Sequence, residues 1–192
     1  MNLRSEVSKG LVERGFTRVG RMHLRREDAQ FSFWVDTGPI GTRSDIIPFL
    51  GLRHERVSEI SERLRGLEPD PYAGTVGGNV GKVLGGPFRR WSADGETGEV
   101  LSTILAGLEA LRPYMALERL PDAFGAPWAV GPTNSYRLVV VHLLLEDRAH
   151  VEESLKRAEA EYCHREDEIC ATFRRFEAGV KVMLDRPEQP SP

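Results

Sequence analysis

The stretch Phe31-Ser32-Phe33-Trp34-Val35-Asp36 alternates Phe31, Phe33 and Val35 with Ser32, Trp34 and Asp36. This is the period-two pattern of a strand that turns one face to a core. Before it, Phe16 to Leu24 alternates as well, with Phe16, Met22 and Leu24 on one parity, and Arg25-Arg26-Glu27-Asp28 supplies a polar turn. The two runs predict a β-hairpin. After it, Thr37-Gly38-Pro39-Ile40-Gly41 makes the next turn, and Asp45 to Arg53 predicts a third strand. Pro48 inside that strand removes one ladder donor, which marks an edge or a bulge.

Helical spacing flanks this sheet. Leu3, Val7 and Leu11 with Val12 form a stripe that stops at Gly15, and Val57, Ile60 and Leu64 form another within Glu55 to Leu67. From Glu68 to Gly86 the chain is rich in proline and glycine and predicts a loop with at most short strand pieces. Phe88-Arg89-Arg90-Trp91 is a candidate fourth strand. Val100, Leu101, Ile104, Leu105, Leu108 and Leu111 then give one broad helical face, closed by Pro113, and a short helix is expected around Leu117 to Phe124. Between Pro132 and Pro187 there is one glycine, Gly179, and no proline, the condition for long uninterrupted helices. Leu138 to Leu145 carries a Val139-Val140-Val141 run that favours strand by propensity. Thr133, Asn134 and Ser135 offer helix caps, and helix is the preferred reading. The expected fold is α+β: a small antiparallel sheet of three to four strands packed with helices, followed by an all-helical C-terminal third. The expected organisation is an α+β core over 1–130, a helical region packed on it over 131–186, and a flexible tail over 187–192.

Composition narrows the function classes. The 192 residues carry 26 Lys+Arg against 29 Asp+Glu, a formal net charge of -3, with 40% hydrophobic residues. That balance fits a soluble globular protein and disfavours a nucleic-acid binder. Only Lys9, Lys82, Lys156 and Lys181 are lysines, so positive charge is almost wholly guanidinium. The bias is spread along the chain and reads as the composition of a GC-rich bacterial genome. Lys9 comes before any apolar run, so no signal peptide is expected, and the run from Leu138 to Leu145 is far shorter than a membrane span. Cys163 and Cys170 lie seven apart in a segment that reads as one helix. A rise of about 1.5 Å per residue would separate them by about 10 Å, too far for a disulfide. They are read as small buried hydrophobes in a reducing cytoplasm.

No motif for catalysis or cofactor binding is complete. In Gly74-Thr75-Val76-Gly77-Gly78-Asn79-Val80-Gly81-Lys82-Val83, a P-loop would need glycine at Val76 and a hydroxyl at Val83, and no G-x-G-x-x-G occurs. The glycines are expected to permit positive φ or close backbone approach. There is no G-x-S-x-G elbow. His164 and Glu168 have i, i+4 spacing with Cys163 alongside, yet no H-E-x-x-H or paired C-x-x-C supports a metal, and Glu166-Asp167-Glu168 reads as a solvated face. Neither a cofactor nor a metal is expected. The candidate partner-binding residues are Trp34, Asp36, Asn79, Arg89, Arg90 and Trp91, with no catalytic residue assigned. Trp34 is core if helices cover both sheet faces, the preferred alternative, and an outward contact residue if they cover one.

The helix followed by three strands led by Gly15-Phe16, the edge strand Ile47-Pro48-Phe49-Leu50-Gly51-Leu52, the loop Thr75 to Gly81 and the helical last third resemble small bacterial proteins, some of which look like immunity proteins of polymorphic toxin systems. The resemblance covers about the first 125 residues and carries no catalytic residue. It implies a non-enzymatic cytoplasmic interaction protein that neutralises a toxin domain, with no nucleic-acid or membrane partner. The alternative is a small-molecule-binding domain or enzyme whose site is assembled from dispersed polar groups such as His54, Asp36 and Arg90.

Overall fold

The structure, a computed structural model, describes residues 2–38, 45–70, 72–164 and 167–185. The chain divides into two compact units, Met1–Glu55 with Pro71–Gly131, and Arg56–Asp70 with Pro132–Pro192. The fold is α+β, with an open antiparallel sheet in the first unit and, among the described residues, helices alone in the second. The segment 56–70 therefore groups with the C-terminal helices, where sequence order placed it in the N-terminal core. The expected tail over 187–192 lies outside the described residues, as does most of the turn expected at 37–41.

In the first unit, α1 (Leu3–Val12) starts at Asn2, whose side chain accepts from the Arg4 N–H, and stops at Gly15, where φ of 85° lets the chain turn back. The sheet runs in sequence order: β1 (Thr17–Val19), β2 (Met22–Arg26), β3 (Phe31–Asp36), β4 (Phe49–His54) and β5 (Val76–Asn79). It has one strand more than the expected upper number, because Phe16 to Leu24 is split by a turn at Gly20 (φ 60°) and part of the glycine-rich segment pairs with β4. The split also changes the parity. His23 sits opposite Val35 and is buried on the face of Phe33, while Met22 and Leu24 lie half-buried on the other face. Before β4, Ile46 makes an isolated bridge to Trp91, and Phe88 to Trp91 forms no longer strand.

Phe31, Phe33, Val35, Leu50, Leu52 and Val76 build the buried sheet face. α1 and α4 (Thr97–Leu111) pack on the sheet and on each other, burying Val7, Leu11, Val100, Ile104 and Leu108. The one-turn helix α3 (Val80–Val83) and α5 (Leu120–Gly125) complete this unit.

The second unit holds α2 (Glu55–Leu64) from Arg56 onward, α6 (Asn134–Leu144), α7 (Arg148–Tyr162) and α8 (Glu168–Leu184). The valine run is helical, with Thr133 at the N-cap position but no capping bond from its side chain. Tyr136 stacks on Tyr162 with ring centroids 4.4 Å apart, and Phe173 and Phe176 close the cluster. The Arg65 guanidinium lies 4.9 Å from the centroid of the Tyr136 ring. α7 and α8 are separate helices, and this overturns the sequence reading of the cysteines. Cys163 and Cys170 flank the break between them, their Cα atoms are 4.6 Å apart, and they form a disulfide. A spacing measured along a helix does not apply across a turn. A reducing compartment therefore does not follow from the cysteine spacing.

Candidate functional site

The glycine-rich segment serves an aromatic side chain. Trp34 on β3 pairs with Gly51 on β4, which pairs with Gly77 on β5, so the indole has two glycines beside it in one cross-strand row. A Cβ at Gly74 or Gly77 would overlap the indole, and one at Gly51 would lie 2.9 Å from it. The Trp34 Nε1–H donates to the Leu52 carbonyl at 3.2 Å. Trp34 is thus half-buried on the face opposite Phe31, Phe33 and Val35, flat against the backbone of its neighbours.

Of the other residues singled out by sequence, Asn79 and Trp91 are buried and engaged within the unit. Asn79 accepts from the N–H groups of Gly81 (3.0 Å) and Arg89 (2.8 Å) and donates to the Arg89 carbonyl, tying the start of α3 to the following loop. Trp91 donates to Glu99 at 3.0 Å. Arg89 and Arg90 are exposed, and Arg90 reaches Asp45 at 3.9 Å. The constellation of His54, Asp36 and Arg90 does not form. Asp36 and His54 stand at opposite ends of the β3–β4 ladder, where Asp36 pairs with Phe49 and His54 with Phe31. Five residues of strand between the two rungs separate them by about 17 Å. His164 follows α7 and stands outside any helix shared with Glu168, and Cys163 is spent in the disulfide, so neither a metal set nor a thiol nucleophile assembles there.

The structure instead assembles a cleft that sequence reading missed. It has a volume of about 440 Å³ and lies between the first turns of α1, the β1–β2 turn and the end of β3. Ser8 from α1 and His23 from β2 belong to its lining, both buried, with Ser8 Oγ 2.8 Å from His23 Nε2. Arg4, Arg18 and Arg21 also line it, and among the described residues no carboxylate does. Arg4 is held in place by the carbonyls of Thr37 (3.1 Å) and Asp45 (3.2 Å), and Arg18 by that of Gly20 (2.9 Å). Among the described residues neither Arg4 nor Arg18 is ion-paired, whereas Arg21 pairs with Asp36 at 3.2 Å. None of the six residues chosen from sequence lines this cleft, and Asp36 reaches its lining as the partner of Arg21. Asp36 also accepts from the Gly38 N–H, which fixes the rim.

The electrostatics follow from burial and from the arginines. Desolvation pushes the His23 pKa below its ordinary value, and the Arg18 charge pushes the same way, so the ring is neutral at pH 7. The first turn of α1 adds the positive end of a helix dipole. The Ser8–His23 spacing suits a nucleophile and its base. However, Asp36, whose charge reaches His23, is occupied by Arg21 and Gly38, and no carboxylate in the lining orients the imidazole. The arrangement therefore offers a set of donors and fixed positive charge for an anion, not a completed triad. The one available signal was local: arginines at 18 and 21 bracket the tight Gly20 turn, one helix away from Arg4.

No protein family, no curated protein and no solved structure matches the chain.

Proposed function

We propose that the first unit binds a small anionic ligand, one bearing a phosphate or carboxylate group, in the cleft between α1 and the β1–β2 turn. The observation that carries this reading is the convergence of Arg4, Arg18 and Arg21 on a cavity with no carboxylate among its described lining residues. Guanidinium groups suit planar, bidentate recognition of such oxyanions. The buried Ser8–His23 pair adds hydrogen-bonding groups at fixed positions, and the volume lies in the range of small-molecule sites. A thermal-shift screen of small anions against the wild-type chain and Arg18→Gln tests it. The expected result is stabilisation of the wild type by at least one phosphate- or carboxylate-bearing compound and a much smaller shift for the variant.

A second reading, a protein-interaction module of the toxin-immunity kind, draws on a different observation. Phe88 (49% exposed) and Leu84 (40% exposed) stand at the surface next to the exposed Arg89 and Arg90. Aromatic and arginine side chains are the common anchors of protein interfaces. A partner captured by the wild-type chain and lost with Phe88→Asp would favour this reading. For localisation we propose the cytoplasm, where the Cys163–Cys170 pair that the structure closes as a disulfide would be held as thiols. Alkylation and intact-mass measurement on protein from its own cells tests it: free thiols support the cytoplasm and an intact disulfide contradicts it.

A further inference from the structure

The turn between α6 and α7 in the second unit brings together three metal-ligating side chains. His142 lies in the last turn of α6, Asp147 is the N-cap of α7, and His150 follows one turn later. One donor atom from each lies within 4.8 Å of the other two. The imidazoles of His142 and His150 are stacked, with centroids 5.1 Å apart, and His150 Nδ1 is 2.6 Å from Asp147 Oδ2. The Asp147–His150 contact satisfies those two residues, but His142 is left incomplete. It is only 8% exposed, and its Nδ1 has no hydrogen-bond partner. Buried polar atoms are rarely left so, and an absent ion is one of the standard reasons. The turn itself places Glu146 at φ 58°, a left-handed conformation uncommon outside glycine, and the Asp147 N–H closes it by donating to the His142 carbonyl at 3.0 Å.

We propose that His142, Asp147 and His150 bind a divalent transition-metal ion of the zinc class. Two imidazole nitrogens and one carboxylate oxygen suit zinc and its neighbours, whereas magnesium and calcium take oxygen donors. The donors come from a single helix–turn–helix, so the site needs nothing outside this unit. Three protein ligands leave a fourth tetrahedral position for water. Binding draws the donors together by rotation of the exposed His150 side chain, while the buried His142 stays as the fixed point.

The test is calorimetric titration of the untagged, EDTA-treated full chain with zinc chloride, repeated on His142→Ala, His150→Ala, His150→Gln and, as a control, His164→Ala. The expected result is one equivalent of zinc bound by the wild type and by His164→Ala, with affinity at least about tenfold weaker in both His150 variants and in His142→Ala. Because His150 is exposed, its variants keep the fold, which circular dichroism checks even where His142→Ala unfolds. Absence of saturable binding at micromolar zinc, or a loss smaller than that in the His150 variants, overturns the proposal.

Discussion

Ser8 Oγ and His23 Nε2 meet at 2.8 Å across the α1–β2 packing, fifteen residues apart in sequence and both shielded from solvent. Ser8→Ala leaves a buried imidazole nitrogen without its partner, so it is expected to cost about 1–3 kcal/mol. Urea unfolding of the variant against the wild type measures this.

The same histidine gives stability a pH dependence with a definite sign. Its folded pKa is lowered by burial and by Arg18, while in the unfolded chain it titrates near 6.5. The unfolded state therefore takes up the proton first as pH falls. The His23 contribution is fully present above pH 6.5 and is lost as pH drops from there through the lowered folded value. The decline between pH 7.5 and 5 is expected to be steeper for the wild type than for His23→Gln, read by denaturation midpoints.

The indole of Trp34 lies over a bed of glycines, so Gly77→Ala forces a methyl group into it or into the backbone beside it. A loss of about 1–3 kcal/mol is expected from this overpacking. Gly98→Ala, with open space around the position in the first turn of α4, is expected to cost nothing and to stabilise by up to about 1 kcal/mol. Thermal denaturation of the two variants side by side separates them.

The Cys163–Cys170 disulfide closes a short loop at the α7–α8 break. Replacing both by serine is expected to cost about 2–3 kcal/mol through the freedom returned to the unfolded chain. Urea unfolding of the double variant and of the reduced wild type checks this, and the two are expected to agree.

Most of the sheet and helix content was legible because it is carried by local periodicity. The alternation through Phe31 to Asp36 and the stripe from Val100 to Leu111 each specify their own backbone. The features that were not legible depend on elements meeting in space. The glycines at 51, 74 and 77 are explained only once Trp34 lies against them, since no spacing along the chain reveals a cross-strand neighbour two strands away. The turn at Gly20 resets the strand's parity, so the alternation from Phe16 to Leu24 carries no sign that His23 faces the core and Ser8. Arginine abundance hid Arg4, Arg18 and Arg21, because a residue type common everywhere marks a site only by its three-dimensional convergence. The disulfide was excluded by assuming an unbroken helix, although the break falls at Cys163 itself.

The arginine-lined cleft is expected to hold an anion, and calorimetric titration of the wild-type chain and Arg18→Gln with inorganic phosphate, pyrophosphate and a dicarboxylate decides this. Arg18 is exposed and has no ion pair among the described residues, so its replacement leaves the fold intact. Saturable binding of at least one of these anions is expected at one equivalent per chain, weakened about tenfold or more in Arg18→Gln by loss of a charge-assisted contact. No saturable binding of any of them, or equal affinity in the variant, would contradict it.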